Sequence, residues 1–200
     1  MNNNKMIKTA KNLDILANIF GKIALIAGGI SIVLAVLTLV LDAEFFVKGA
    51  TSVDFDFIRV HLAQGCVADE RFIKLYAFAG SLGGGMVCIV AGYCASLFRK
   101  ILAPIKDGRP FEADISRNLK KAGWAVLAGG LLTEITGVAA RALLVKAYPM
   151  NQIFSAEAVT KTEFMSVINL DFVIITCILF FLSYIFAYGQ ALQKESDETL

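Results

Sequence analysis

The sequence predicts an all-α integral membrane protein: an antiparallel bundle of four transmembrane helices with both chain ends in the cytoplasm. Three observations carry that expectation. Composition leans toward lipid. Of 200 residues, 57% are hydrophobic and 18% charged, with a mean hydropathy of +0.67, whereas soluble domains hold about 45–50% apolar and about 25% charged residues. The charges also leave long gaps. None falls in the 19 residues between Lys22 and Asp42, the 24 between Lys74 and Arg99, or the 22 between Asp171 and Lys194. About 20 apolar residues in a helix cross a bilayer core. Third, basic residues gather in alternate connections. Lys5, Lys8 and Lys11 lie near the N-terminus, and Arg99, Lys100, Lys106, Arg109, Arg117, Lys120 and Lys121 join spans two and three. Residues 42–74 hold six acids against four bases, and 146–171 hold three against two. The positive-inside bias then places the N-terminus, the 99–121 loop and the C-terminus in the cytoplasm.

A single membrane domain over 1–200 follows, with spans near 15–41, 73–98, 122–146 and 169–190. Outer loops occupy 42–72 and 147–168. The first apolar run exceeds the roughly 7–15 residues of a signal-peptide core and reads as a retained helix. Its Gly21, Ala24, Gly28, Ser31, Ala35, Thr38 and Asp42 follow alternating steps of three and four. The second span repeats the schedule with Ser81, Gly85, Cys88, Gly92, Ala95 and Arg99. A 3.5-residue period keeps such a stripe against a neighbouring helix, and small residues let backbones approach where lipid offers no hydrophobic drive. Homo-oligomerisation is compatible with the same stripes.

The third span carries Gly130, Glu134, Gly137 and Arg141, flanked by Trp124 and Tyr148, rings that favour the headgroup level. Glu134 falls near mid-span, with Arg141 two turns on along the same face. A charge there costs about 2.5–3.5 kcal/mol on an insertion scale, so it needs a partner or a function. The fourth span sets Asn169, Thr176, Ser183 and Gln190 at intervals of seven. Glu134, Arg141, Thr176 and Ser183 are therefore the intramembrane polar candidates. They form either a structural contact or, with Glu134 as carrier, a proton or solute site. With no second acid or histidine at that depth, the structural reading is favoured.

Pro104, Asp107-Gly108 and Pro110 read as a turn after the second span. Phe111, Ile115 and Leu119 at steps of four then suggest a short amphipathic helix at the interface. Lys106, Arg109, Arg117, Lys120 and Lys121 form a candidate surface for a cytoplasmic partner or anionic lipid. In the outer loop, Val53–Phe57 alternates like a short strand, and 149–167 suits a short helix. Asp54 with Asp56, and His61 with Cys66, fall short of calcium and zinc sites. Four cysteines, three of them within spans, read as unpaired apolar residues. A faint repeat, Ala24–Ile30 against Ala125–Leu131, carries no functional weight. No phosphate cradle, nucleophile motif or catalytic carboxylate pair is present, so no cofactor, metal or enzymatic activity is expected. A net charge of +2 gives no argument for direct nucleic-acid binding.

Two stretches resemble a known family. Pro104-Ile-Lys-Asp-Gly-Arg-Pro-Phe-Glu112, followed by Leu119-Lys-Lys-Ala-Gly-Trp124, is similar to the cytoplasmic loop of the DUF2975 proteins. The run from Phe186 to Leu200 is similar to that family's C-terminal signature. The resemblance implies a small four-span protein of the bacterial inner membrane with no established activity. Its members are often encoded beside a Cro/CI-type helix-turn-helix regulator, and no catalytic residue carries over. A non-enzymatic membrane partner or sensor for such a regulator is the leading expectation. A small-solute or proton transporter using Glu134 is the alternative, and a role through the outer loops ranks third.

Overall fold

The structure, a computed structural model, describes residues 3–41, 52–55, 58–61, 69–107, 113–148 and 168–198. Among these residues are four long helices: α1 (Asn3–Val40), α2 (Glu70–Lys106), α3 (Ala113–Ala147) and α4 (Asp171–Glu198). Each is long and apolar enough to cross a membrane. Even α4, at 28 residues, is about 42 Å long against a hydrocarbon core of about 30 Å. A small hairpin lies between α1 and α2, in which β1 (Ser52–Phe55) pairs antiparallel with β2 (Ile58–His61), Asp54 opposite Arg59. One strand was expected here. The second supplies the backbone partners that a lone strand lacks.

α2 and α3 outrun the expected spans at both ends, α1 only at its start and α4 only at its end, and the 99–121 loop shrinks accordingly. α2 continues through Pro104 to Lys106, where Asp107 N donates to Pro104 O at 3.1 Å. Proline has no N–H for the carbonyl four residues back and its ring crowds that carbonyl, so the helix ends soon after it. α3 begins at Ala113, so the expected interfacial helix is instead the first three turns of the third long helix. The reason lies in its apolar face. Ile115 is fully buried and Leu119 nearly so, packed with Ile101 and Ile105 of α2 and Leu179, Leu182 and Phe186 of α4. Protein covers the stripe that was assigned to lipid. At the starts of α2 and α4, Asp69 Oδ1 accepts from Arg71 N at 3.0 Å and Asn169 Oδ1 from Asp171 N at 2.8 Å. Both side chains thus satisfy orphan amides as caps. Asp42, Cys66 and the segment 149–167 lie outside the described residues.

The chain forms two compact units, Met1–Gly29 with Gly85–Thr133 and Asn169–Leu200, and Ile30–Gly84 with Glu134–Ile168. In the first, α1 packs antiparallel on α2 through glycines. A Cβ on Gly28 would lie 2.8 Å from Ile89 Cγ1 and 3.1 Å from the Gly85 carbonyl oxygen. One on Gly92 would lie 2.6 Å from Leu25 Cγ and 3.2 Å from the Gly21 carbonyl oxygen. The backbones touch because both partners lack side chains. Further across this unit, Val90 of α2 fills the space over Gly129, and Phe172 and Phe180 of α4 lie over Gly130 and Gly123 of α3. In the second unit, α2 meets α3 where Gly83 faces Thr136. There Asp69 N also donates to Ala147 O at 2.8 Å.

Along α1 the buried positions, Ala10, Gly21, Ala24, Gly28, Ala35 and Thr38, follow the 3-4 stripe read from the sequence. The remaining faces are apolar and open. Only 11–28% of the most apolar window of each helix is buried. Substitutions test the glycine seam. Gly28→Leu and Gly92→Leu each cost about 1–3 kcal/mol through overpacking, read as a lower melting temperature in detergent. Gly29→Leu and Gly84→Leu, where an added Cβ meets nothing within 4 Å, leave it nearly unchanged.

Candidate functional site

Among the described residues, four groupings of polar side chains on the long helices bear on function. The first ties α1 to α2. Asp14 accepts from Arg99 Nε at 3.0 Å and from Lys106 Nζ at 2.9 Å, while Arg99 Nη1 donates to Asn18 Oδ1 at 2.9 Å. Asp14 and Asn18 share a face by their spacing of four. Arg99 and Lys106, seven apart, likewise share the facing side of α2. One carboxylate holds two cations, so the cluster keeps a positive balance. Lys106 is therefore engaged with α1 rather than held out to a partner. Sequence reasoning passed over Asp14, although it lies on the backward extension of the α1 stripe, through Ala17 and Ala10.

The second place is the α3–α4 seam. Ser116 Oγ donates to Ser183 O and Ser183 Oγ to Ser116 O, each at 2.9 Å, with the hydroxyls 3.1 Å apart. Thr176 Oγ1 donates to Phe172 O at 2.8 Å and lies 3.4 Å from Gly123 O. Ser183 and Thr176 are buried and thus serve to join two helices. Their partners Ser116 and Gly123 were not singled out from the sequence. Ser116, Gly123, Gly130 and Gly137 nevertheless repeat at strict intervals of seven, the same period as Thr176 and Ser183 on α4. Trp124 meets Phe180 edge to face, with centroids 5.5 Å apart.

The third place, in the other unit, is the Glu134–Arg141 pair. Arg141 Nη2 lies 4.0 Å from Glu134 Oε2, and its Nε donates to Gly137 O at 3.3 Å. Helical side chains lean toward the helix N-terminus, so an arginine reaches an acid two turns earlier along its own helix. Gly137 lies between them and leaves the guanidinium room to fold back. Thr133, a candidate bridge, turns its hydroxyl to Gly129 O at 2.8 Å. Thr176 and Ser183 hydrogen-bond along the α3–α4 seam, while Glu134 and Arg141 pair along α3.

The fourth is a basic face. Lys100, Arg117, Lys120 and Lys121 are exposed on α2 and α3, and Arg109 lies outside the described residues. Near the end of α4, Lys194 engages Glu198 at 3.6 Å. Among the described residues, no three His, Cys, Asp or Glu side chains are grouped to hold a metal ion.

The Glu134–Arg141 contact predicts a coupling. Glu134→Gln and Arg141→Gln each lower stability in detergent, and the double variant loses less than the two losses combined. The interaction energy is about 0.5–3 kcal/mol, read by a double-mutant cycle of unfolding midpoints.

The family model described as a protein of unknown function, DUF2975, matches residues 67–200. The match takes in α2, α3 and α4 and begins after α1 and the hairpin. No curated protein and no solved structure matches the chain. Two thirds of the sequence falls under one family description, including both stretches that suggested it, and the chain belongs to the DUF2975 family.

Proposed function

We propose that this chain is a four-span protein of the bacterial inner membrane that docks a small helix-turn-helix regulator on its cytoplasmic face and catalyses no reaction. The membrane part rests on the open apolar faces of four helices, each longer than a bilayer core is thick. Water would penalise such surface by about 25 cal/mol per Å², whereas acyl chains cover it at no such cost. The positive-inside bias of the 99–121 stretch supports an orientation with both ends inside.

The observation that carries the docking reading is the exposure of Lys100, Lys120 and Lys121 on helices rather than on a loose loop. Ile115 and Leu119, buried beside them, anchor the first turns of α3. A basic surface fixed in place costs little ordering on binding. It suits an acidic patch on a regulator, since the regulator's own DNA-binding face is basic and would be repelled. Transport through Glu134 has less behind it, because that carboxylate already faces Arg141 along its own helix.

Affinity capture from solubilised membranes tests the proposal. A small helix-turn-helix protein co-purifies with the wild-type chain, and Lys120→Glu with Lys121→Glu reduces its recovery roughly ten-fold or more. Absence of any such protein, or recovery unchanged by the charge reversal, overturns the docking reading.

A further inference from the structure

The unit built from Met1–Gly29, Gly85–Thr133 and Asn169–Leu200 holds an apolar groove of about 550 Å³ lined from all four helices. Its width comes from small side chains, among them Ala17, Ala91 and Ala122. Larger ones such as Phe20, Phe98 and Leu179 also line it. Among the described residues no charged side chain lines it, and the most polar group there is the Cys94 thiol. The volume lies within the roughly 300–1,000 Å³ of small-molecule sites. A slender apolar chain fits a groove of this size and lining.

One end of the groove is marked by charge. Its lining residues Leu13 and Phe98 directly adjoin Asp14 and Arg99 in sequence. There the single Asp14 carboxylate stands against Arg99 and Lys106. Arg99 gives Nε to Asp14 and Nη1 to Asn18. Its side chain is still 43% exposed, with Nη2 available to an oxyanion among the described residues. An apolar slot that ends at a net-positive cluster is complementary to an anionic amphiphile. Planar guanidinium forks suit phosphate oxygens.

We propose that this groove seats one acyl chain of an anionic membrane phospholipid, with its phosphate against Arg99 beside Lys106. The site rests on the membrane-spanning reading but not on regulator docking, because Lys120 and Lys121 take no part in it. Bound lipid links α1 to α4 through Leu16 and Ile175, which line opposite ends of the chain on one cavity. Occupancy therefore stabilises the folded unit by mass action.

Native mass spectrometry of the full chain in non-ionic detergent tests the site. Phosphatidylglycerol is compared with phosphatidylcholine at equal acyl composition. The wild-type chain retains one phosphatidylglycerol with at least a ten-fold preference. Cys94→Phe and Val126→Phe, which fill the groove from two helices, abolish retention of both lipids. Arg99→Gln removes the preference while the chain is still held. Phosphatidylglycerol carrying a diazirine near the acyl terminus, at one equivalent, needs no variant and cross-links wild-type peptides containing Phe20, Ala91 or Ile175, at the end of the groove away from Arg99. Equal retention of the two lipids by the wild type overturns the proposal. So do wild-type retention by both filled-groove variants, cross-links confined to other faces, and a protein dimer in place of bound lipid. Loss of regulator capture with lipid retention intact would count against docking alone.

Discussion

The arrangement of this chain depends on how closely the backbones of α1 and α2 approach. Gly21 and Gly28 on one helix meet Gly92 and Gly85 on the other, at spacings where a single added methyl group collides with side chain or carbonyl. In an aqueous core the hydrophobic effect tolerates some looseness in such a contact. Between helices in lipid it supplies no drive, and dispersion across a tight seam has to do the work. Glycine stripes alone leave the sliding register weakly fixed, since each seven-residue shift again puts small residues opposite small ones. Asp14, Arg99, Asn18 and Lys106 remove that degeneracy. A slip by two turns would leave a carboxylate and two cations against apolar neighbours.

The α3–α4 seam solves the same problem with hydroxyls. The Ser116–Ser183 exchange and the Thr176 contact to Gly123 make the polar atoms of each helix serve the other. Here large rings of α4, Phe172 and Phe180, fill the spaces left by Gly130 and Gly123. The two pairs differ in kind, glycine against glycine and glycine against phenylalanine. The difference limits mispairing of α1 with α3 or α4.

Much of this was legible before any coordinates, because membrane helices write their contacts as residue size at a fixed period. Most of the α1 stripe is buried, as are Gly85, Gly92 and Ala95 of the α2 stripe, and Thr176 and Ser183 are buried where an interval of seven put them. Less legible was anything that depends on where a helix stops. Charge gaps measure the apolar stretch, not the hydrogen-bonded one, so α2 beyond Phe98 and α3 before Ala122 were assigned to a loop. That truncation hid Ser116 and turned Ile115 and Leu119 outward toward lipid. Asp14 was missed for a related reason. A lone acid before an apolar run reads as topology, and only the neighbouring helix shows that it answers Arg99. Asn169 fitted a stripe by arithmetic but caps a helix, since period alone does not separate a face from a terminus.

The functional reading inherits this frame. A basic surface fixed on α2 and α3, and a groove that ends at a net-positive cluster, both require α1 to lie on α2 in the described register. The measurement closest to that requirement is a disulfide formed in native membranes. With the four natural cysteines replaced, Gly21→Cys and Ala95→Cys place their Cβ atoms about 3.1 Å apart, near the roughly 3.5–4.5 Å of a disulfide. The account predicts rapid intramolecular cross-linking on mild oxidation, with no cross-link when the first cysteine moves to Gly29. Failure to cross-link, or cross-linking only between chains, would contradict it.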